Sequence, residues 1–194
     1  VWIKNRDATD AHALFDTVRG ATKVLSSNVT TAEATNDDTL TAFESDGFAL
    51  GDDVIVNTNA ESYVAWQWNE GATPGFDIVS YTGNATARTI AHNLGVVPEM
   101  MIVKNRADTD NWAVYHAANT AAPATDYLVL NANSATADDA TVWNDTAPTS
   151  SVFSVGTSSL TNGNTEAMIA YVFAPVEGFS KFGSYIGNGS SSGP

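Results

Sequence analysis

The chain states one pattern twice. Ile3-Lys4-Asn5-Arg6 returns as Val103-Lys104-Asn105-Arg106, Thr9-Asp10 as Thr109-Asp110, and Ala13-Leu14-Phe15 as Ala113-Val114-Tyr115, each one hundred residues on. Further along, Phe48-Ala49-Leu50-Gly51 matches Phe153-Ser154-Val155-Gly156, Asn57-Thr58-Asn59 matches Asn162-Gly163-Asn164, and Tyr63-Val64-Ala65-Trp66 matches Met168-Ile169-Ala170-Tyr171. Gly75-Phe76 with Ser80-Tyr81-Thr82-Gly83-Asn84 returns as Gly178-Phe179 with Ser184-Tyr185-Ile186-Gly187-Asn188. A unit of about 100 residues has the size of a domain, whereas solenoid repeats run about 20–50 residues. The repeat predicts two tandem domains, residues 1–90 and 91–194, each with its own core.

Local patterning is of β type in both halves. Short runs rich in Val, Ile, Tyr, Phe and Thr, such as Met100-Met101-Ile102-Val103 and Tyr127-Leu128-Val129-Leu130, alternate with Gly, Asn, Asp and Ser clusters. This predicts an all-β fold: two tandem antiparallel β-sandwich domains of jelly-roll or lectin-like type. Ser45-Asp46-Gly47 reads as a hairpin turn, and residues 69–75 as the clearest loop near the middle of the chain. Residues 11–19 mix helix formers with β-branched Thr17 and Val18, and their counterpart at 112–116 reads as a strand. Alternation puts Leu14, Phe48, Val64, Val114, Phe153 and Ile169 inside.

Composition narrows the partners. Acidic residues number 22 against 8 basic, for a net charge of −14, and such a surface repels nucleic acid and anionic lipid. No apolar run is long enough to span a bilayer as a helix, so membrane insertion is not expected. Cysteine is absent, which removes disulfides, thiolate chemistry and Cys-ligated zinc. The opening Val1-Trp2-Ile3 already reads as strand and the end is a Gly/Ser tract, as in a piece of a longer polypeptide.

Several phrases together carry a resemblance. These are Val1-Trp2-Ile3-Lys4-Asn5-Arg6, His12-Ala13-Leu14-Phe15-Asp16-Thr17-Val18-Arg19-Gly20, Asp46-Gly47-Phe48-Ala49-Leu50-Gly51, Tyr63-Val64-Ala65-Trp66 and His92-Asn93-Leu94-Gly95-Val96-Val97-Pro98-Glu99-Met100. The chain resembles an uncharacterised repeat domain of tail-fibre-like virion proteins of marine bacteriophages. The resemblance implies a structural or host-contacting component of a virion surface, and it supplies no catalytic signature.

The residues themselves point the same way. His12, His92 and His116 sit in no metalloprotease spacing, beside no nucleophile elbow, and not at repeat-related positions, so they read as residues of strand ends or turns. Glu61 and Glu166 do recur, each at the start of a matching strand, which suits a turn or cap better than the facing carboxylates of a glycosidase. No catalytic residue is assigned and no enzyme is expected. For ligand contact the candidates are Trp112 beside Asn111 and Trp143 beside Asn144, since sugars stack on indoles while amides bond their hydroxyls. Trp66 and Trp68 read as core or interdomain packing. Asp7 and Asp10, with Asp108 and Asp110 in the corresponding segment of the second repeat, are the one candidate for a structural calcium site; no other cofactor is expected. Lys4, Arg6, Lys104 and Arg106 read as surface cations paired with neighbouring carboxylates.

The expectation for function is a scaffold module of a phage virion surface that adheres to a host-surface glycan. A purely architectural fibre or spacer subunit is the alternative, and a glycan-degrading enzyme a distant third. Expected partners are further copies of the chain or other virion proteins. The apolar segment at 179–186 is expected to be ordered, pairing with the second domain's own sheet or with an adjoining chain.

Overall fold

The computed structural model describes residues 1–193. The first repeat contributes β1 (Trp2–Asn5), β2 (Ala13–Leu14), β3 (Lys23–Ser26), β4 (Ala34–Thr35), β5 (Leu40–Phe43), β6 (Phe48–Leu50), the single-turn helix α1 (Val54–Asn57) and β7 (Tyr63–Trp66). Then follow β8 (Phe76–Thr82), β9 (Arg88–Ala91), β10 (Met100–Asn105), β11 (Ala113–His116), β12 (Asp126–Val129), β13 (Ala137–Asp138), α2 (Ala140–Trp143), β14 (Val152–Val155), α3 (Ser159–Asn162) and β15 (Ala167–Phe173). The chain is all-β, and the strand pairs among the described residues are antiparallel. Each short helix starts on a side-chain cap: Asp53, Asp139 and Ser158 accept from the backbone N–H two residues on.

The repeat governs strand pairing. A five-stranded sheet runs β4-β3-β2-β1-β7, and a six-stranded sheet runs β13-β12-β11-β10-β15-β8. Trp2 pairs with Trp66 and Asn5 with Tyr63, just as Ile102 pairs with Tyr171 and Asn105 with Met168. The predicted hairpin joins β5 to β6, closed by Glu44 N donating to Gly47 O at 2.9 Å.

Alternation then sorts the side chains into three apolar layers. On the second sheet, Met101, Val103, Ala113, Tyr115, Met168, Ala170 and Val172 pack with Phe153, Val142 and Trp143 beneath β14 and α2. On the first, Ile3, Ala13, Phe15 and Val24 pack with Leu40 and Val56. The intervening positions of both sheets, Leu14 and Leu25 from one and Ile102, Trp112, Val114, Ile169 and Tyr171 from the other, form a third cluster. Each of the two large sheets thus carries an apolar cluster of its own, and the two sheets also face each other across a shared layer.

Three expectations need correcting. Residues 1–90 do not all belong with the first repeat's strands, because β8 pairs along its length with β15 and β9 pairs with β14. The pairing changes over before Phe76. Phe48 and Val64 are only half-buried, unlike their counterparts Phe153 and Ile169. In the second repeat β9 pairs with β14 at Phe153 and β8 covers the outer side of β15 at Ile169; in the first, Phe48 has only the hairpin partner β5 beside it, and β7 is a sheet edge. Finally, 179–186 does not join the second sheet, since β8 already occupies the outer edge of β15. Phe179, Tyr185 and Ile186 are exposed, and only a short bridge between Val176 and Ser180 orders the start of the segment.

Candidate functional site

The expected indole platform is not a surface feature. Trp112 lies between the two sheets, where its alternation with Ala113 aims it inward, and its Nε1 donates to Ser26 O at 3.2 Å and Val29 O at 3.1 Å. It ties the second repeat to the first. Trp143 sits in the second repeat's core, edge-on to Tyr115. Asn111 accepts from Asn131 Nδ2 at 2.8 Å, and Asn144 ends α2 in a left-handed conformation. These four residues are turn and core elements, and their indole faces are closed to a sugar.

The aspartates do not gather into a cation site either. Among the described residues no group of three or more His, Asp or Glu side chains could hold a metal. Asn5 Nδ2 donates to Asp10 at 2.7 Å and to Glu61 at 2.5 Å, while Asn5 Oδ1 accepts from Asp7 N and Ala8 N. Asn105 repeats the knot with Asp110 at 2.9 Å, Glu166 at 2.6 Å and Ala107 N. Asp7 accepts from Ser62 N at 2.6 Å, a backbone bond that holds its carboxyl below the usual range. Asp108 accepts from Thr109 N. Glu61 and Glu166 thus each accept from the asparagine whose Oδ1 holds the turn after β1 or β10.

The lysines of the Lys-Asn-Arg motif do the same work. Lys104 is fully buried, and its Nζ donates to Asn105 O at 2.6 Å and Asp108 O at 3.0 Å; Lys4 bonds Asn5 O and Ala8 O in the same way. Burial lowers the Lys104 ammonium to about 8, against the pull of Asp110 and Asp108. The expected pairing with surface carboxylates holds for Arg106 alone, whose guanidinium meets both oxygens of Glu33 at 2.9 Å.

That contact belongs to a polar bridge the repeat does not contain twice. Arg19, buried, binds Asp16 at 2.5 Å, Glu33 at 3.2 Å, Leu14 O and Lys23 O. Tyr171, across the shared layer, donates to Asp16 Oδ2 at 2.7 Å. Asp16 and Arg19 stand where the second repeat has His116 and Asn119, so comparing the halves could not flag them. Burial alone raises the Glu33 carboxyl, but hydrogen bonds from Arg106 and Arg19 outweigh it and hold it low.

An open aromatic surface lies at the edge of the first sheet. Trp66 is 48% and Trp68 40% exposed, with Trp2 6.0 Å from the first and 6.3 Å from the second. Trp2, Lys4, His12, Trp66 and Trp68 line a cleft of about 210 Å³. A second cavity of about 490 Å³ opens between the sheets beside Trp2, Trp68, Phe76, Tyr171 and Phe173. The Trp2 Nε1 donor is buried and has no partner among the described residues. Burial, then the nearby Lys4, depresses His12, which favours the neutral imidazole. The cleft offers stacking faces and N–H donors; none of its lining side chains is a carboxylate.

Fold and site together define an all-β repeat protein whose shared polar motifs build turns and whose singular ones join the repeats. The chain belongs to the family described as Domain of unknown function (DUF7483), whose model matches residues 1–194. No curated protein and no solved structure matches it.

Proposed function

We propose that the chain is a non-catalytic architectural module of a phage virion surface, of tail-fibre-like type, built as two tandem antiparallel β-sandwich domains that meet near residues 69–75. The observation that carries this reading is the polar bridge between the repeats. Asp16, Arg19, Glu33, Arg106 and Tyr171 lock one sheet onto the other beside a shared apolar layer. A rigid pair of domains suits a load-bearing spacer, whereas relative motion is the default for domains with small polar interfaces. The reading needs no cofactor and takes other copies or other virion proteins as partners. Immunogold labelling with antibody to this chain, on particles of the phage encoding it, should decorate the particle surface; particles free of label would end the virion assignment.

Glycan adhesion stands as the second reading, moved from Trp112 and Trp143 to the cleft of Trp2, Trp66 and Trp68. The half-exposed indole faces of Trp66 and Trp68 favour it. A glycan array probed with wild type and with Trp66→Ala tests this: binding lost in the variant supports adhesion, and an array without signal removes it.

A further inference from the structure

The strand that completes the second sheet has a copy in the chain, and the edge it covers has a copy too. β8 lies against β15, and its continuation seals the unit: Tyr81 donates to Thr161 O at 2.6 Å, Gly83 N to Glu166 O at 2.8 Å, and Asn84 N to Asn162 Oδ1 at 3.0 Å. The counterpart of β15 is β7, hydrogen-bonded to β1 on one side only. The counterparts of Thr161, Glu166 and Asn162 are Val56, Glu61 and Asn57. Asn57 is held as Asn162 is, its Nδ2 donating to Gly51 O where Asn162 donates to Gly156 O, both at 2.7 Å, yet it is exposed. The counterpart of Ser80-Tyr81-Thr82-Gly83-Asn84 is Ser184-Tyr185-Ile186-Gly187-Asn188, itself exposed and without strand partner.

We propose that the β7 edge of one molecule receives residues 180–188 of a second copy as an added antiparallel strand, giving head-to-tail assembly. This rests on the architectural reading and names its partner. Carrying the β8–β15 register across, with the bridge Val176–Ser180 taken as the match of Gly71–Phe76, seats Phe182 opposite Trp66, Gly183 opposite Ala65, Ser184 opposite Val64 and Tyr185 opposite Tyr63. Edge backbone supplies the hydrogen bonds, and alternate side chains supply the fit. Beside β8, Ala170 and Tyr171 are buried, Tyr171 by the shared layer as well, while their counterparts Ala65 and Trp66 on the open edge are exposed. Phe182, at 6.3 Å from His116 and from Phe173 in the single chain, exchanges those rim contacts for Trp66. A donor segment at one end and a receiving edge at the other make a heterologous contact, which propagates as a filament or closes as a ring.

Gly187 gives a test that leaves the monomer alone. A β-carbon on Gly83 would lie 2.0 Å from Gly163 O, so that approach requires glycine, whereas one on Gly187 meets nothing within 4 Å in the single chain. Sedimentation of the 194-residue chain over a concentration series should show self-association that Gly187→Val abolishes with the melting temperature of the dilute protein unchanged. The chain has no native cysteine, so a mixture of the Ala65→Cys and Gly183→Cys proteins should form a mixed disulfide dimer, while Thr41→Cys with Gly183→Cys should not. A chain monomeric throughout, association that survives Gly187→Val, or equal cross-linking in the control mixture would each overturn the proposal. None of these results bears on the particle labelling, so the virion reading stands or falls separately.

Discussion

The Tyr171 hydroxyl, on the second repeat's sheet, donates to the Asp16 carboxylate of the first at 2.7 Å, in a buried site that Asp16 shares with Arg19. Removing the hydroxyl with Tyr171→Phe leaves Asp16 its guanidinium partner and should cost about 1–3 kcal/mol. Asp16→Ala leaves buried Arg19 with Glu33, at 3.2 Å, as its one carboxylate partner and should cost more, up to about 3–5 kcal/mol. Urea denaturation of both variants measures this; near-wild-type stability in Asp16→Ala would show that the bridge does not join the repeats.

Acid should loosen the same interface through Glu33. Its carboxyl titrates lower in the folded chain than in the unfolded one, where it is near 4.5, so the unfolded state binds the proton first. The stabilisation is therefore complete above about pH 5 and falls as pH drops through 4.5 toward the folded value. Glu33→Gln should flatten that acid limb in a series of melting curves. A limb of unchanged steepness would assign it to other carboxylates.

Lys104 works in the opposite sense. With its folded value lowered to about 8 and its unfolded value near 10.5, the folded chain gives up the proton first, so this group adds stability as pH rises from about 8 to about 10. Lys104→Ala removes that rise and also leaves the Asn105 and Asp108 carbonyls without their donor, at about 1–3 kcal/mol each if no water replaces it. Lys4→Ala, at a half-exposed site, should cost less. Equal losses in the two variants would contradict the burial difference.

Truncations should separate the two repeats. Phe153→Ala and Ile169→Ala empty fully buried positions and should cost about 2–5 kcal/mol. Phe48→Ala and Val64→Ala, at the half-buried counterparts, should cost under about 1.5 kcal/mol. Matched losses across the repeat would mean that the first repeat's edge is covered in solution.

The pattern of short β-branched runs and polar turns was enough to read the all-β class, the hairpin at Ser45-Asp46-Gly47 and the repeat-related strands, because alternation and turn chemistry are local properties. The recurrence of Glu61 and Glu166 was enough to place them at turns. Trp112 and Trp143 misled because a Trp flanked by Asn looks the same on a rim as at a strand that enters a core. Which of these it is depends on what packs opposite, and for Trp112 that is Ser26 and Val29, more than eighty residues away in the chain.

By itself the amino-acid sequence determined that this protein is two copies of one strand pattern, since period and turn residues are written in neighbouring positions. The tertiary structure alone decided that the sheets stack face to face, that β8 closes the second sheet and leaves β7 open, and that Asp16, Arg19 and Tyr171 meet. The physical reason is that an apolar strand face is equally satisfied by a core, a neighbouring sheet or a partner chain. Only the competition among these surfaces, resolved in three dimensions, assigns each face its cover.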